Sequence, residues 1–435
     1  MVVSLRIRAF NMYKNIYLES QKPEGLNKAD IKQAVIDYVK DQDLKKVLLL
    51  PPDFTRFHSN AGFITNVYYH YFLEHGITVH ILPALGTHEA MTKVECDEMY
   101  GDIPYEAFIY HNWREDVVEV GQVPESYVRD ITEGLWEKGV TLETNKIVMD
   151  PSYDLILSIG QVVPHEVIGM ANHAKNVFVG CGGKTTIHQT HMIGAVFGME
   201  RMMGKDHTPV RKVLDYGMEH FLKDRPIHFV LTVTTAPHGE ILTHGLYLSK
   251  DRSGLNKAIV KAQEMNIDFL DKGIKKCIVY LDPKEFKSTW LGNKSVYRTR
   301  MAIADGGELI VLAEGVNKFG EDKTIDALIR KYGYAGRIQV LEWFKDHEDL
   351  QQNMSAAAHL IHGSSDGRFN ITYAVKNLPL EEVRGARYQA AHYDEVVKKY
   401  DPHKLVYGWN ILDDGEEVFF IPNPALGLWI DKNRF

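Results

Sequence analysis

Polar side chains follow a short apolar run at residues 47–50, where a buried strand of an α/β sheet would end. After Pro51-Pro52 come Asp53, Thr55 and Arg56. An arginine there can hold a carboxylate or phosphate through two parallel hydrogen bonds, and a nearby aspartate can orient it. Taken alone, an aspartate turn beside a solvated arginine explains this segment slightly better.

Two histidines occupy the same kind of position further along the chain. His88 follows the apolar run 77–82, and His165 follows the run 155–159. Histidine titrates near neutral pH and therefore suits proton transfer. Because side chains at the carboxyl ends of strands build the sites of open α/β folds, we expect both histidines to flank one substrate. A structural role for each histidine is the alternative.

A glycine-rich turn follows Lys175 and a predicted strand at 176–179. Gly180, Gly182 and Gly183 precede a predicted helix, whose N-terminal amides favour an anion. The segment is not a P-loop, because Phe178 stands where that pattern requires glycine. A simple glycine turn explains the segment as well.

Two further groups have a chemical and an ordinary interpretation. His188 and His191 are three residues apart and therefore share a helix face, and imidazole is a common nickel ligand. Paired histidines are also common on surfaces. Lys294, shortly after Trp290, could carry charge across a domain cleft or could be an ordinary solvated lysine.

The alternation of apolar runs and helical patterns predicts an α/β fold with two domains. Each domain is expected to contain a mainly parallel sheet flanked by helices, with the site in the cleft between them. The predicted domains are 1–270, possibly completed by 411–435, and 271–410. Helices are predicted at 29–39, 63–75, 256–270, 324–331 and 388–399, and a possible strand at 108–110.

Composition narrows the class of protein. The net charge of −8 and the lack of a basic stripe disfavour nucleic-acid binding. The sequence contains no run of about 18 apolar residues, so no membrane helix is predicted. Residues 1–15 lack the features of a signal peptide. The only cysteines are Cys96, Cys181 and Cys277, which fit a reducing compartment, so a cytoplasmic protein is expected.

Together and in order, these segments resemble the lactate racemase family of nickel-pincer enzymes. The shared elements are Asp53-x-Thr55-Arg56, Gly86-Thr87-His88 with Met91-Thr92, Gly160 to Pro164-His165, Lys175, and Gly180 with Thr186-Ile187 and His191. Each element is weak alone, but five in order with compatible spacing are highly specific. The resemblance runs from about residue 25 to the end of the chain.

The resemblance implies a set of roles. A nickel-pincer nucleotide would be attached covalently at Lys175, with Thr55 and the glycines Gly180, Gly182 and Gly183 around it, and His191 would complete the nickel coordination. His88 and His165 would act as alternating acid and base. Arg56 would bind the substrate carboxylate with support from Asp53, and Lys294 and Trp290 would lie near the substrate.

The activity implied is inversion of C2 of a 2-hydroxy acid by hydride removal and return through a 2-keto acid. Its partners would be a small hydroxycarboxylate and the enzymes that build the cofactor. Trp290-Leu291 stands where lactate racemase has Tyr-Gln, and Asn172-His173 where the family often has Gly-Gly. The polar segment 362–370 could bind extra hydroxyls or a second carboxylate, so the substrate could be larger than lactate, such as an aldonate.

Two other classes remain as alternatives. One is a dehydratase or nicotinamide-dependent oxidoreductase acting on sugar or hydroxy acids, although no G-x-G-x-x-G opens a helix after an early strand. The other is a non-catalytic hydroxy-acid-binding protein, which would have no need of Lys175 and His191 together.

Overall fold

The computed structural model describes residues 13–236, 239–425 and 427–435, which form an α/β protein with two six-stranded sheets. The elements up to residue 270 are β1 (Ile16–Glu19), α1 (Lys28–Val39), β2 (Lys46–Leu50), α2 (Ala61–Glu74), β3 (Thr78–Ile81), α3 (Lys93–Tyr100), β4 (Val117–Val123), α4 (Glu125–Ile131), β5 (Val140–Asn145), β6 (Leu155–Gln161), β7 (Pro164–His165), β8 (Gly169–Met170), α5 (Lys184–Phe197), α6 (Pro209–His220), β9 (Ile227–Thr235), β10 (Leu242–Ser249), α7 (Ser253–Asn266) and β11 (Asp268–Leu270).

The remaining elements build the second sheet and its helices. They are β12 (Ile274–Tyr280), α8 (Thr289–Gly292), α9 (Lys294–Thr299), β13 (Ile303–Ala313), α10 (Lys323–Tyr332), α11 (Arg337–Asp346), α12 (Glu348–Gln352), α13 (Met354–His362), β14 (Asn370–Val375), α14 (Leu380–Gly385), β15 (Gln389–His392), α15 (Tyr393–Val396), β16 (Gly408–Ile411), β17 (Glu417–Ile421) and β18 (Trp429–Asp431).

Both sheets are mainly parallel, as predicted. The first has the strand order β1-β10-β9-β6-β2-β3, in which only the pairs involving β10 are antiparallel. The second has the order β15-β14-β13-β12-β17-β16, in which only the β16–β17 pair is antiparallel. Crossover helices cover such sheets on both faces, so the central strands are continuously apolar. In β2, Leu48 and Leu50 join one core and Val47 and Leu49 the other.

Helix α5 lies between the two halves of the molecule. Its Ile187 and Ile193 belong to a core of the first sheet, whereas Met192, Ala195 and Val196 belong to the core of the second. Helix α13 packs directly against it. The second half of the helix, residues 192–197, consists only of apolar residues and glycine, as expected where a helix is buried on all sides.

Several predicted elements take a different form. The segment predicted as a strand at 176–179 is a π-helical turn, Asn176–Gly180, because an apolar run this short does not distinguish strand from helix. Residues 389–392, predicted helical, form β15, which pairs with β14. The helix predicted to reach residue 270 ends at Asn266, and at 108–110 only Phe108 forms a bridge, to Ile81.

Strand pairing also assigns the C-terminal segment. Strands β16 and β17 extend the second sheet, whereas β18 pairs with β11. Residues 411–421 therefore do not complete the first sheet. The division into domains 1–270 and 271–410 stays a prediction. In the part of the chain that the structure describes, no helix is long and apolar enough to cross a membrane.

Candidate active site

The neighbouring strands β3, β2 and β6 deliver three of the predicted site segments to one edge of the first sheet. Asp53 and His88 meet there, with His88 Nδ1 2.5 Å from Asp53 Oδ2. Thr55 Oγ1 donates to the other carboxylate oxygen at 2.6 Å. Arg56 lies on the same short helical turn, Phe54–Ser59. The sheet topology therefore brings Asp53 to His88, a contact that the sequence analysis did not predict.

Asp53 determines the tautomer of His88. Burial alone would raise the pKa of Asp53, but hydrogen bonds from His88 and Thr55 and the charge of Arg56 lower it overall. An ionised carboxylate only accepts, so Nδ1 of His88 carries the proton. The Nε2 lone pair of this exposed ring is left free to take a proton. His88 thus presents a hydrogen-bond acceptor at Nε2.

His165 has the opposite arrangement. It lies in the two-residue strand β7, and its Nδ1 accepts the backbone N–H of Val167 at 3.1 Å. A backbone N–H can only donate, so the neutral ring carries its proton on Nε2. Burial keeps the pKa of His165 well below its ordinary value, with Lys175 and Arg56 contributing. His165 therefore presents a hydrogen-bond donor.

Lys175 lies in a segment that the fold holds closely. Asn172 and His173, just before it, have φ of 67° and 59°, in the left-handed region that glycine occupies most easily. Arg211 donates to the backbone carbonyl of Asn172 at 3.1 Å. Directly after Lys175, the side-chain amide of Asn176 donates to Leu50 O at 2.9 Å. The lysine is therefore fixed relative to the end of β2.

The environment of Lys175 makes it a better nucleophile. Burial, and next the charge of Arg56, lower its pKa to about 8, although Glu166 and Asp53 act in the opposite direction. A larger fraction of the amine is therefore neutral near pH 8 than for an ordinary lysine.

His191 is prepared as a ligand through one ring nitrogen. Its Nδ1–H donates to Ile187 O, one turn earlier in α5, at 2.6 Å. Burial lowers its pKa to about 4, so the ring is neutral and its Nε2 lone pair is available. Metal-binding histidines are usually oriented by a hydrogen bond of this kind. His188 is buried on the same helix, and burial lowers its pKa to about 4 as well.

The second sheet contributes charged groups to the same region. Burial, followed by Arg56 and Arg298, lowers the pKa of Lys294 to about 8. Arg298 lies one turn further along α9, where it donates to Pro164 O at 3.0 Å and lies 3.9 Å from Glu166. These contacts join α9 to the segment that contains His165.

Glu166 and Arg298 were not predicted as site residues. Burial alone would raise the pKa of Glu166, but His165, Arg298 and Arg56 bring it well below its usual value. Signals for both were present in the sequence. Glu166 directly follows His165, and Arg298 is four residues after Lys294, on the same helix face.

Trp290 lies on the second-sheet side of the molecule. Its ring stacks on His359 with centroids 4.0 Å apart. His359 is held in turn by the hydroxyls of Tyr297 and Tyr334, at 2.6 and 3.0 Å. A substrate contact of Trp290 stays a prediction.

The glycine turn differs from the anion site that the sequence suggested. The carboxylate of Glu143 accepts the amides of Thr185 and Thr186 at 2.9 and 3.2 Å, so the N-terminus of α5 already has an anion from the protein itself. A Cβ at Gly182 would lie 1.7 Å from Phe178 O, and one at Gly183 would lie 2.4 Å from Glu143. Close packing of the chain therefore accounts for both glycines, and their cofactor contacts stay predictions.

A metal ion alone has no complete set of ligands here. Among the described residues, no group of three or more His, Cys, Asp or Glu is arranged to hold one. A metal that used the free Nε2 of His191 would have to arrive with other donors. The half-buried amine of Lys175 and this single imidazole therefore fit an organic group that brings its own metal ligands.

These observations define a class of protein: a two-sheet α/β protein with two histidines and an aspartate at the strand ends of its first sheet. Residues 4–203 match the family model of the lactate racemase N-terminal domain. This part of the chain is thus similar to the lactate racemase N-terminal domain, which confirms the resemblance seen in the sequence. No curated protein matches the sequence.

Two solved structures share the fold. A crystal structure of a protein from Thermotoga maritima is 24% identical with a TM-score of 0.79, covering 95% of this chain and 100% of that one. The lactate racemase apoprotein from Thermoanaerobacterium thermosaccharolyticum is 16% identical with a TM-score of 0.68, covering 94% and 90%. The fold therefore extends over both sheets.

Proposed function

We propose that this chain is a racemase or epimerase that inverts C2 of a 2-hydroxy acid and works with a nickel-pincer nucleotide attached at Lys175. The family of residues 4–203 supports an enzyme of this type. The observation that carries the proposal is the complementary state of two histidines around one charged region. His88 offers a lone pair at Nε2 and His165 an N–H at Nε2.

The residues suit the proposed cofactor. Lys175 would supply the amine for a covalent bond, and its lowered pKa favours that reaction. His191 would supply Nε2 as the protein ligand. When bound, the group would supply an acceptor and donor for the C2 hydrogen as a hydride.

The chain's own groups would then handle the carboxylate and the hydroxyl proton. Arg56 would hold the carboxylate by two parallel hydrogen bonds. His88 Nε2 would take the hydroxyl proton while the C2 hydrogen leaves with its electron pair, which yields a flat 2-keto acid. His165 Nε2–H would donate to the substrate oxygen and stabilise charge there.

The two directions of the reaction place different demands on His165. To act as the base for the other enantiomer, it must carry its proton on Nδ1 instead. That tautomer can no longer accept the N–H of Val167, so the exchange costs this hydrogen bond. His88 needs no such change, because Asp53 already holds its proton on Nδ1.

A racemisation assay with isotope tracing tests the function. Protein produced together with the cofactor-building enzymes is given single enantiomers of 2-hydroxy acids deuterated at C2, and products are separated on a chiral column. The proposal predicts inversion with deuterium retained at C2, because a hydride that is held and returned does not exchange with water. Inversion with loss of deuterium to water would indicate direct deprotonation. Binding without inversion would support the binding-protein alternative.

A further inference from the structure

A cavity separate from the strand-end site lies between the two halves of the molecule, near the C-terminal end of α5. It has a volume of about 210 Å³ and is lined from the first half by Gly198 and Arg201 and from the second by Arg300, Arg337 and Arg368. Glu200 and Asp366 are the carboxylates among its lining residues. Four arginines therefore line one cavity of a chain whose net charge is −8.

Three of these arginines have carboxylate partners. Arg300 Nε and Arg368 Nη2 contact Glu200 Oε1 at 3.1 and 2.7 Å. Arg201 contacts Glu133, outside the cavity, at 2.5 Å. These three arginines therefore form part of the cavity wall, and nearby carboxylates largely neutralise their charges.

Arg337 is different. Its Nη1 donates to the backbone carbonyl of Val196 at 3.1 Å, and its backbone N–H donates to Asp366 at 2.8 Å. Within the described ranges, no carboxylate lies within ion-pair distance of its half-buried guanidinium. Its positive charge is therefore available to a ligand, and its planar fork matches a carboxylate or phosphate.

His362 supplies an independent observation at the same cavity. It is 4% exposed and lines the cavity, and its buried Nε2 has no hydrogen-bond partner. Burial lowers the pKa of His362 to about 3, so the ring is neutral and can donate one N–H. A buried polar atom without a partner costs stability unless a ligand or water satisfies it.

We propose that this cavity binds the second acidic group, a carboxylate or phosphate, of a substrate whose other end is the reacting 2-hydroxy acid. The anion site is inferred from Arg337 and His362, whereas its assignment to the substrate rests on the proposed function. His191 precedes Ala195 and Phe197 of the cavity wall by four and six residues in α5. At 1.5 Å per residue the separation along the helix is about 6–9 Å. A straight six-carbon chain has a comparable length.

The first experiment measures binding of inorganic phosphate to the apoprotein by calorimetry. Wild type is expected to bind one phosphate, Arg337→Gln to bind at least about 10-fold more weakly, and Arg337→Lys to recover much of the affinity because it keeps the charge. Arg384→Gln is the control, since Arg384 is exposed and pairs with Glu381 on its own helix. Absence of binding, or equal binding by wild type and Arg337→Gln, would overturn the anion site whatever the enzyme does.

The second experiment compares 2-hydroxyadipate with 2-hydroxyhexanoate, which has the same chain length but lacks the terminal carboxylate. Loaded wild-type enzyme is expected to prefer the adipate in kcat/KM, phosphate to compete with it, and Arg337→Gln to reduce the preference at least about 10-fold. An equal loss for both substrates would mean a structural role for Arg337 and would refute the substrate assignment. If neither compound is inverted, the proposed function fails. The subsite is then tested on the apoprotein, where it predicts that 2-hydroxyadipate displaces phosphate and 2-hydroxyhexanoate does not.

Discussion

At the scale of single residues, hydrogen-bond partners rather than residue types distinguish the two histidines. Asp53 accepts from His88, whereas a backbone N–H donates to His165. The sequence could predict that both histidines follow strands, because strand ends can be read from apolar runs. It could not predict their tautomers. The partner of His165 is the backbone N–H of Val167, which lies just beyond the two-residue strand that contains His165.

Replacing Asp53 by Asn tests the positioning of His88. The amide no longer requires the proton on Nδ1, so the population of His88 with a free Nε2 lone pair falls. We expect kcat for racemisation to drop about 100-fold or more, the typical contribution of a well-placed base, with KM changed less. The control is Asp102→Asn, because Asp102 makes the corresponding contact to the exposed His70 at 2.8 Å. Equal activity of the two variants would show that Asp53 does not position the base.

The reactivity of Lys175 should depend on pH in a way that surface lysines do not. Its amine is the nucleophile only when neutral, and its pKa is lowered to about 8. Labelling of the apoprotein with a small acylating reagent, followed by peptide mass spectrometry, should therefore show the rate at Lys175 rising through about pH 8. Exposed lysines should follow a midpoint near 10.4. A midpoint near 10.4 at Lys175 as well would contradict the account of its environment.

At the scale of elements, α5 carries His191, and its N-terminus has a partner that the sequence did not indicate. The sequence left open whether the glycine turn binds an anion, and the distant strand β5 supplies Glu143 to those amides. A contact between residues more than forty positions apart leaves no local pattern to read. The helices predicted at 29–39 and 63–75 were correct to within two residues, because their apolar periodicity is local.

Replacing Glu143 by Gln tests this cap. The amide oxygen still accepts one hydrogen bond, but the negative charge at the positive end of α5 is lost. We expect a loss of about 1 kcal/mol in the free energy of unfolding, measured in urea. Glu137→Gln, an exposed change nearby, should stay within about 0.5 kcal/mol. Equal stability of both variants would mean that Glu143 contributes nothing to the start of the helix.

At the scale of the whole molecule, Arg298 joins the two halves through Pro164 and Glu166. Its replacement by Met leaves the half-buried Glu166 without this arginine, and the loss is expected to cost about 1–3 kcal/mol, between an exposed and a fully buried pair. Because the folded pKa of Glu166 lies well below its unfolded value, this stabilisation is fully present above about pH 4.3 and is lost only as pH falls towards the low folded pKa. The destabilisation should therefore be large at pH 7, largely persist at about pH 4, and be smaller at about pH 2.

Urea unfolding of the wild type and of Arg298→Met at the different pH values measures this change in the free energy of unfolding. Arg384→Met is the control, since its exposed pair with Glu381 should contribute less than about 1 kcal/mol at each pH. A cost for Arg298→Met that is equal at pH 7 and at about pH 2 would show that the Glu166 pair does not stabilise the joint between the halves.

The attachment of a nickel-containing cofactor to Lys175 is tested by the intact mass and nickel content of protein produced with the cofactor-building enzymes, with the modified peptide located by mass spectrometry. We expect a mass increase confined to the peptide that contains Lys175, about one nickel per chain, and loss of both in Lys175→Arg. An unmodified Lys175 without nickel, in cells where the same machinery loads a known lactate racemase, would contradict this attachment.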